Sequence, residues 1–479
     1  MLRIALLLSV MDQDSTDHRL DRHLRHLIES SGAGAKLPPT RTLVADFAAS
    51  PLTVQRVVQR LVQEGLVETR PGSGTFVARP RVILRSDFSW QTTALGPARN
   101  GAATVGTSMS LTAPDAIAMH GGYPSEDLLP IRLVRAALTR AARGSAALDR
   151  PPVAGLGDLR AWFANEVRSG PGGRSSGVSG DDVIVVPGSQ SALTSIFRAL
   201  AQPGDAIVME SPSYWGAIAA AHQAGLVIVP VARGAAAPSA EALDDAFASS
   251  GARLFYAQPH FANPTGALWT LAETRAILAV ARARNAFVID DDWAHDFGID
   301  ADARPIIADD TDGHVVYLRS LTKSVSSSLR VGVLIARGPA LARIQVDRTV
   351  TDLYVSGMLQ AAAVDVVTDP GWRSHLARLR SALRLRRDTL AGLVAGRLGA
   401  ETLTSLPKGG LNLWLRFDDR SDARDLAARC LAAGLAVAPG NDWFPTEPPG
   451  SFLRLNYSGA RPERFEEAVA ILEAARDPR

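Results

Sequence analysis

Short apolar runs alternate with longer amphipathic stretches over most of the chain. The runs are rich in valine and isoleucine, and the segments between them have the helical spacing of apolar side chains. This rhythm is typical of a largely parallel β-sheet with helices on both faces, because its buried strands need apolar side chains on both sides. The predicted strands are 183–186, 206–209, 227–231, 254–257, 287–290, 315–318 and 332–336.

A different pattern occupies the N-terminal part, where three amphipathic helical stretches precede two short strands. The third stretch begins with Ser50 as its N-cap and Pro51 at its first helical position, and Gly65 ends it. The two strands lie within 66–77 and flank the sequence Pro-Gly-Ser-Gly, which is typical of a hairpin tip. Three helices and a hairpin predict a winged helix-turn-helix domain over residues 17–79.

Changes in pattern divide the chain further. Between the two regions the periodicity fades into glycine, alanine, threonine, serine and proline, as in a linker. After residue 340 long arginine-rich helices and a few strands indicate a smaller α+β domain. We therefore predict an N-terminal extension (1–16), the winged helix-turn-helix (17–79), a linker (80–118), a large α/β domain (119–340) and a smaller domain (341–479).

Composition narrows the function without deciding it. The chain has 51 basic and 49 acidic residues, a net charge of +2, so it has no global excess of positive charge for coating nucleic acid. Its single cysteine, Cys430, excludes an internal disulfide and a cysteine-ligated metal cluster, which suits the reducing cytoplasm. The apolar start, 1–11, is too short to span a membrane, and no other segment predicts a span.

Lysine is rare in this chain. Only three of the 51 basic residues are lysines, and one of them, Lys323, follows an apolar run and lies among hydroxyl side chains in Ser-Leu-Thr-Lys-Ser. A lysine in a shielded pocket can lose its proton and act as a nucleophile, whereas arginine cannot. Lys323 is therefore a candidate reactive residue, although an ordinary solvated lysine fits the composition equally well.

The third N-terminal helix has candidates for DNA contacts. In a helix-turn-helix the first residues of this helix lie near base edges in the major groove, where Gln and Arg can make paired hydrogen bonds to adenine and guanine. The candidates for base contacts are Leu52, Thr53, Gln55 and Arg56. The candidates for phosphate contacts are Arg41, Arg70 and Ser73. A winged helix that contacts only other proteins is the alternative.

The motif order supports DNA binding. Leu-Pro-Pro-Thr-Arg-Thr-Leu, Ser-Pro-Leu-Thr-Val and Arg-Pro-Gly-Ser-Gly-Thr-Phe-Val together resemble the DNA-binding domain of GntR-family bacterial regulators over the whole of 17–79. The resemblance implies that the domain binds a double-stranded DNA operator. One departure is Pro51, which stands where the family commonly has arginine, so base contacts are shifted towards Gln55 and Arg56 or weakened.

Polar residues also follow four of the predicted strands, at the edge where open α/β sheets bind ligands. A small-residue turn before a helix suits a phosphate, and a carboxylate at the end of a buried strand needs a cation or a donor. The residues are Ser189 and Gln190, Asn263, the aspartates 290–292, and Ser320, Thr322, Lys323 and Arg330.

Two other kinds of site share some of these residues. The spacing Ser320-x-x-Lys323 occurs in acyl-serine hydrolases, but the Ser-Asp-Asn and Lys-Thr-Gly motifs that complete that site do not occur in the sequence. A metal site would need histidines at ligand spacing, and His295 has no histidine partner at such spacing. We therefore predict no metal.

The joint occurrence of a phosphate cup, an asparagine, a carboxylate and a lysine resembles the pyridoxal 5'-phosphate (PLP) site of fold-type I aminotransferases, over residues 118–470. Together with the N-terminal domain, the chain resembles the MocR subfamily of GntR regulators. The resemblance implies that Lys323 forms the Schiff base with PLP, that Asp291 pairs with the pyridine nitrogen and that Asn263 bonds the ring oxygen. It also implies cofactor contacts by Ser189, Gln190, Tyr214, Ser320, Thr322 and Arg330, and an α-carboxylate contact by Arg454.

Two departures from that family bear on activity. Trp293 stands where a tyrosine usually contacts the ring oxygen, and Arg150 stands where a tyrosine usually reaches the phosphate of the cofactor in the partner subunit. Which of the aspartates 290–292 pairs with the ring stays open. Both departures weaken the case for efficient transamination more than the case for cofactor binding.

We therefore expect a homodimeric, cytoplasmic transcriptional regulator that senses PLP or a small amino compound through Lys323. A working aminotransferase with an accessory DNA-binding domain is the main alternative. A DNA-binding protein without a cofactor is the third.

Overall fold

The structure, a computed structural model, separates into two units, residues 1–97 and 98–479. It describes residues 2–78, 87–95, 109, 112–113, 115–170, 177–233, 236–418 and 422–476. The elements of the first unit are α1 (Leu2–Ser30), α2 (Thr40–Phe47), α3 (Pro51–Gln63), β1 (Val67–Arg70), β2 (Gly74–Val77) and α4 (Ser89–Leu95).

Local sequence explains why α3 and the hairpin form. Ser50 Oγ accepts a hydrogen bond from the Thr53 backbone N–H at 3.0 Å, and Pro51 occupies the first turn. The antiparallel strands β1 and β2 meet at a tip where Gly72 and Gly74 have φ values of 74° and 117°, which glycine adopts without strain. One core joins these elements; it contains Leu20, Leu24, Leu37, Leu43, Val54, Val57, Leu61, Val67 and Val77. The predicted winged helix-turn-helix is confirmed.

Two ranges set apart in the sequence contain regular structure. Helix α1 starts at Leu2, inside the range 1–16, and continues to Ser30 without a break. Of the predicted linker 80–118, the described residues include α4 and a short strand, β3 (Ile117–Ala118). The remaining linker positions 80–86, 96–108, 110–111 and 114 lie outside the described residues.

The second unit is built on a seven-stranded sheet with the order β4-β10-β9-β8-β7-β5-β6. Its strands are β4 (Val183–Val186), β5 (Ala206–Ser211), β6 (Val227–Ala232), β7 (Leu254–Ala257), β8 (Phe287–Asp292), β9 (Val315–Ser320) and β10 (Gly332–Ile335). All seven predicted runs are strands. The sheet is parallel except for β10, which runs antiparallel to both of its neighbours.

Helices cover both faces of this sheet. The helices of the unit are α5 (Ile131–Arg143), α6 (Gly157–Ser169), α7 (Ser189–Leu200), α8 (Trp215–Gln223), α9 (Ala240–Ser250), α10 (Leu271–Arg284), α11 (Gly338–Asp352), α12 (Gly357–Thr368), α13 (Gly371–Leu398), α14 (Ala423–Ala432) and α15 (Phe465–Arg476). Alternate strand residues face opposite cores. Val183 and Val185 belong to the core that also contains residues of α5, α6, α9, α10 and α12, whereas Ile184 and Val186 belong to the core that contains residues of α7, α8 and α11.

A smaller sheet follows α13. It pairs β11 (Asn412–Phe417), β14 (Ser451–Asn456) and β13 (Ala438–Pro439) in that order, while β12 (Leu435–Ala436) pairs with β3. Its core includes residues of α13, α14 and α15. Helix α12 and most of α11 fall in the range 341–479, but they belong to the cores of the seven-stranded sheet. The α/β fold class, with a mainly parallel sheet and a smaller α+β part, is confirmed.

Candidate cofactor site and nucleic-acid interface

The candidate site lies at one edge of the seven-stranded sheet. Strands β4, β7, β8 and β9 all run in the same direction, so the segments that follow them meet at the carboxyl-terminal edge. These segments carry the polar residues singled out in the sequence.

The three aspartates at the end of β8 separate by strand alternation, because neighbouring residues point to opposite faces. Asp290 Oδ2 accepts a hydrogen bond from the Ile306 backbone N–H at 2.8 Å, and Asp292 Oδ2 accepts from His295 Nδ1 at 2.6 Å. Burial raises the pKa of Asp290 well above its ordinary value. Burial opposes ionisation of Asp292 too, but the charge and hydrogen bond of His295 lower its pKa to about 2.

Asp291, between them, faces the site. Its Oδ2 accepts hydrogen bonds from Tyr256 Oη at 2.7 Å and Gln258 Nε2 at 2.9 Å. Its Oδ1 is buried and accepts no hydrogen bond from any residue that the structure describes. Burial raises the pKa of Asp291, although the two donors and the positive charge of Lys323 act to lower it. An additional N–H donor would satisfy Oδ1.

Lys323, three residues after β9, lies among aromatic rings. Its Nζ is 5.0 Å from the centre of the Trp293 ring and 5.8 Å from that of Tyr123. Burial lowers the pKa of Lys323 to about 8, opposed by Asp291 and reinforced by the positive charges of Arg454 and Arg330. The lowered pKa gives Lys323 a larger neutral fraction near pH 7 than an ordinary lysine has, and the neutral amine is the nucleophilic form.

Arg454 connects the smaller sheet to this site. Its guanidinium is 1% exposed and donates through Nη1 to Asn263 Oδ1 at 3.1 Å and through Nη2 to the carbonyl oxygens of His120 and Gly121. No carboxylate of the described residues forms an ion pair with it, and burial lowers its pKa to about 10. Trp443 covers the guanidinium, with its ring centre 4.8 Å from Cζ. A buried cation bonded only to neutral oxygens suits an anionic ligand.

The residues that the sequence predicts as a phosphate cup lie at the start of α7 and beside it. Arg330 Nη2 donates to the carbonyl of Pro187 at 2.9 Å, and a Cβ added to Gly188 would come within 2.8 Å of that nitrogen. The backbone thus approaches the guanidinium closely just before Ser189, the first residue of α7. A helix start beside an arginine suits a phosphate group.

Other expected cofactor contacts lie beside this cup. The Gln190 side chain donates to the carbonyl of Gly216 at 2.7 Å and accepts from Tyr214 Oη at 3.1 Å. Ser320 Oγ donates to Thr322 Oγ1 at 2.9 Å. Both the NH₂ group and the oxygen of the Gln190 amide are therefore hydrogen-bonded within the protein, and the oxygen fixes the position of the Tyr214 hydroxyl.

The two departures from the family have distinct surroundings. Trp293 is buried, and its Nε1 donates no hydrogen bond to any described residue. Arg150 is exposed, with its Cζ 5.9 Å from the ring centre of Tyr354.

The sequence reasoning missed four residues of this site. They are Tyr123, Tyr256, Gln258 and Trp443. A usable signal existed for two of them: Tyr256 and Gln258 alternate with apolar residues at the end of a buried strand, where polar side chains need partners.

The candidate DNA surface lies on α3 of the first unit. Val54, Val57 and Leu61 are buried, whereas Leu52, Gln55 and Arg56 are exposed on the opposite face. Arg56 lies 3.7 Å from the Asp17 carboxylate. Thr53 is half-buried, and its hydroxyl lies 2.9 Å from that of Ser50, so it is less available to a base than its position suggests.

The candidate phosphate contacts are exposed as well. Arg41 lies in the first turn of α2, and Ser73 lies at the tip of the hairpin. Arg70 forms an ion pair with Glu68, and its Cζ is 4.6 Å from the ring centre of Phe76. These contacts hold Arg70 along the hairpin.

Comparison with known proteins identifies the second unit. The family "Aminotransferase class I and II" matches residues 121–472, well over half of the chain. The chain belongs to this family. The family "Bacterial regulatory proteins, gntR family" matches residues 16–77 of this aminotransferase-family chain.

Individual relatives show both organisations. The probable rhizopine catabolism regulatory protein MocR of Rhizobium meliloti is 28% identical, covering 92% of this chain and 90% of that protein. The 2-aminoadipate transaminase of Thermus thermophilus is 28% identical over 79% of this chain and 95% of that protein. Among solved structures, the chain is similar to LysN, the α-aminoadipate aminotransferase of the same organism, in a crystal structure complexed with N-(5'-phosphopyridoxyl)-L-leucine. The TM-score is 0.70 and the sequence identity is 26%, over 78% of this chain and 96% of that chain.

The expected resemblance to MocR-type regulators is therefore confirmed, and PLP is the cofactor of this aminotransferase-type domain. The residues fit it: Asp291 Oδ1 can accept from a protonated ring nitrogen, and Lys323 supplies an amine with a lowered pKa. No described helix is both long and apolar enough to cross a membrane. No three potential metal ligands among His, Cys, Asp and Glu are grouped in the part of the chain that the structure describes.

Proposed function

We propose that this protein is a cytoplasmic transcriptional regulator that binds an operator through α3 and the β1–β2 hairpin and senses PLP or a small amino compound at Lys323. The proposal keeps the residue roles expected from the sequence: Asp291 for the ring nitrogen, Asn263 for the ring oxygen and Arg454 for an α-carboxylate.

The observation that carries the proposal is that Lys323 lies close enough to the buried Arg454 for the charge of Arg454 to act on its pKa. Arg454 is a buried cation without a carboxylate partner among the described residues, and Lys323 has a pKa of about 8 because of burial. An α-amino acid has the two complementary groups, a carboxylate for Arg454 and an amine that can replace Lys323. The site is therefore suited to an amino acid or a close analogue.

Each residue has a defined task in this scheme. PLP, when bound, supplies an aldehyde that condenses with amines and a ring that withdraws electrons. Lys323 Nζ would hold it, Tyr214 would cover its ring, and the start of α7 with Ser189 and Arg330 would bind its phosphate. An incoming amine would bind beside Lys323 Nζ, which lies 5.0 Å from the centre of the Trp293 ring and 5.8 Å from that of Tyr123.

A second copy of this chain completes the proposal. Helix α11 exposes apolar side chains on one face: Val346 is 66% exposed and Val350 is 83% exposed, and Leu353 just after the helix is 60% exposed. Adjacent exposed apolar side chains of this size are typical of a protein interface. We propose that this face contributes to a homodimer, whose two DNA-binding domains then contact two half-sites.

The alternative is a working aminotransferase with an accessory DNA-binding domain. The similarity to the 2-aminoadipate transaminase favours it. Trp293 counts against it, because it stands where the family usually has a tyrosine and cannot supply a phenol to the ring oxygen.

The test combines DNA selection with spectroscopy. Operator sequences are selected from random DNA with the full-length protein, and affinity is then measured by fluorescence anisotropy with and without PLP and a panel of amino acids. We expect PLP to give a borohydride-reducible visible absorbance that Lys323→Ala abolishes, and we expect PLP or one amino acid to change operator affinity. Lys408→Ala is the matched control, since Lys408 is exposed.

Three results would count against the proposal. Protein that never develops visible absorbance with PLP would remove the cofactor role of Lys323. Operator affinity that responds neither to PLP nor to any amino compound would remove the sensing role. Rapid multiple turnover with a keto acid would favour the enzyme instead.

A further inference from the structure

The Gln258 amide lies between two residues proposed to contact the cofactor ring. Gln258 directly follows β7 and is 3% exposed. Its Nε2 donates to Asp291 Oδ2 at 2.9 Å, and its Oε1 accepts from the Asn263 backbone N–H at 2.9 Å. One side chain therefore contacts both the residue assigned to the ring nitrogen and the residue assigned to the ring oxygen.

Hydrogen-bonding chemistry fixes the orientation of this amide. A backbone N–H can only donate, so the end of Gln258 that faces the N–H of Asn263 must be the oxygen. The NH₂ group then points at Asp291. A donor aimed at a carboxylate stabilises the ionised form, so Gln258 favours a negative charge on Asp291.

The backbone of Gln258 is hydrogen-bonded to a buried ion pair. The Gln258 backbone N–H donates to Glu210 Oε2 at 3.1 Å, and Arg233 Nη1 lies 3.0 Å from the same oxygen. Trp269 Nε1 donates to the other oxygen of Glu210 at 3.2 Å. The side chains of Glu210 and Arg233 are 2% and 1% exposed, so little water competes with these contacts.

We propose that Gln258 is a positioning residue that keeps Asp291 ionised against the ring nitrogen of the cofactor and thereby sets how strongly the ring withdraws electrons. The proposal rests on the cofactor site proposed above. Gln258 shares this task with Tyr256, which donates to the same carboxylate oxygen at 2.7 Å.

Loss of the Gln258 hydrogen bond should change the visible absorbance of the bound cofactor. If Asp291 loses a donor, its neutral form is favoured and the ring nitrogen gives up its proton. The ring then withdraws fewer electrons, and the nitrogen that joins the cofactor to Lys323 becomes more basic. The pH midpoint of the visible absorbance change should therefore move upwards.

The experiment is a pH titration of visible absorbance for the PLP-loaded full-length protein. We expect Gln258→Leu to raise the midpoint by about half a pH unit or more, and Tyr256→Phe to raise it in the same direction. Gln258→Glu is the second variant: it keeps an oxygen for the Asn263 N–H but, once ionised, offers Asp291 no donor and adds negative charge. It should also raise the midpoint.

The outcomes separate two failures. If wild-type protein develops no visible absorbance with PLP, the proposed cofactor site fails. If wild-type protein does so and a folded Gln258→Leu or Gln258→Glu variant titrates at the wild-type midpoint, the role of Gln258 is overturned. A merely structural role would lower the melting temperature without moving the midpoint. Gln202→Leu, at an exposed position, is the control for loss of an amide.

Discussion

Replacing Arg454 by methionine should selectively weaken the binding of amino acids. The guanidinium is 1% exposed, so water screens a bound carboxylate very little. Loss of one partner of a buried charged pair costs about 2–5 kcal/mol. Three hydrogen bonds from Arg454 already go to Asn263 Oδ1 and to the carbonyls of His120 and Gly121, so a ligand must in part exchange contacts. We therefore expect the lower part of the range, about 2–3 kcal/mol, or roughly 30- to 150-fold in affinity.

The assay titrates PLP-loaded protein with an amino acid and with the amine that lacks its carboxylate, following the visible absorbance. Only the amino acid should bind more weakly to Arg454→Met. Arg454→Lys should recover part of the loss, because it keeps the charge but not the planar donor array. Arg416→Met, at an exposed position of β11, is the control. Equal affinity of wild type and Arg454→Met for the amino acid would refute the role, as would an equal loss for the amine.

Three further predictions concern Lys323 and helix α3. Burial lowers the pKa of Lys323 to about 8, so the rate of cofactor loading should rise with pH up to about 8 and then level off. A rate that keeps rising towards pH 10.5, the ordinary pKa of lysine, would contradict a buried amine. Ser50→Ala removes the N-cap of α3 and should lower its stability by about 1 kcal/mol, measured by hydrogen exchange of α3 amides, and unchanged protection would exclude that role. Leu52 is 64% exposed at the start of α3 and can contact a thymine methyl group. Leu52→Ala should therefore reduce discrimination between thymine and uracil in the selected operator, and undiminished discrimination would exclude this contact.

The fold could be predicted because its strands are short apolar runs separated by helical periodicity. Val183–Val186 and Leu254–Ala257 were predicted with the bounds that the structure has. The direction of β10 was beyond the sequence, since an antiparallel strand at this place has the same apolar pattern as a parallel one. The half-buried state of Thr53 was also beyond it, because its hydroxyl contact with Ser50 depends on how the chain enters α3.

The aspartates of β8 show where sequence reasoning about a site ends. Alternation alone predicts that Asp291 points away from Asp290 and Asp292, but it does not say which face holds the cofactor. That depends on lateral neighbours: Tyr256 on β7 reaches Asp291, while Tyr317 on β9 reaches Asp292 Oδ2 at 2.8 Å. Strand order, which brings together residues far apart along the chain, decides the question.

The placement of Lys323 and Arg454 gives the proposed sensing a physical basis. Lys323 follows β9 of the seven-stranded sheet, and Arg454 lies on β14 of the smaller sheet. A ligand can shift a conformational equilibrium only if it binds the two states with different affinity. An amino acid held by its amine near Lys323 and by its carboxylate at Arg454 bridges the two sheets, so its binding energy depends on their separation. An amine or a carboxylic acid alone contacts one side and lacks this dependence. If the effector is an amino compound rather than PLP itself, it should therefore need both groups on one small molecule. Operator affinity should then respond to the amino acid but to neither fragment.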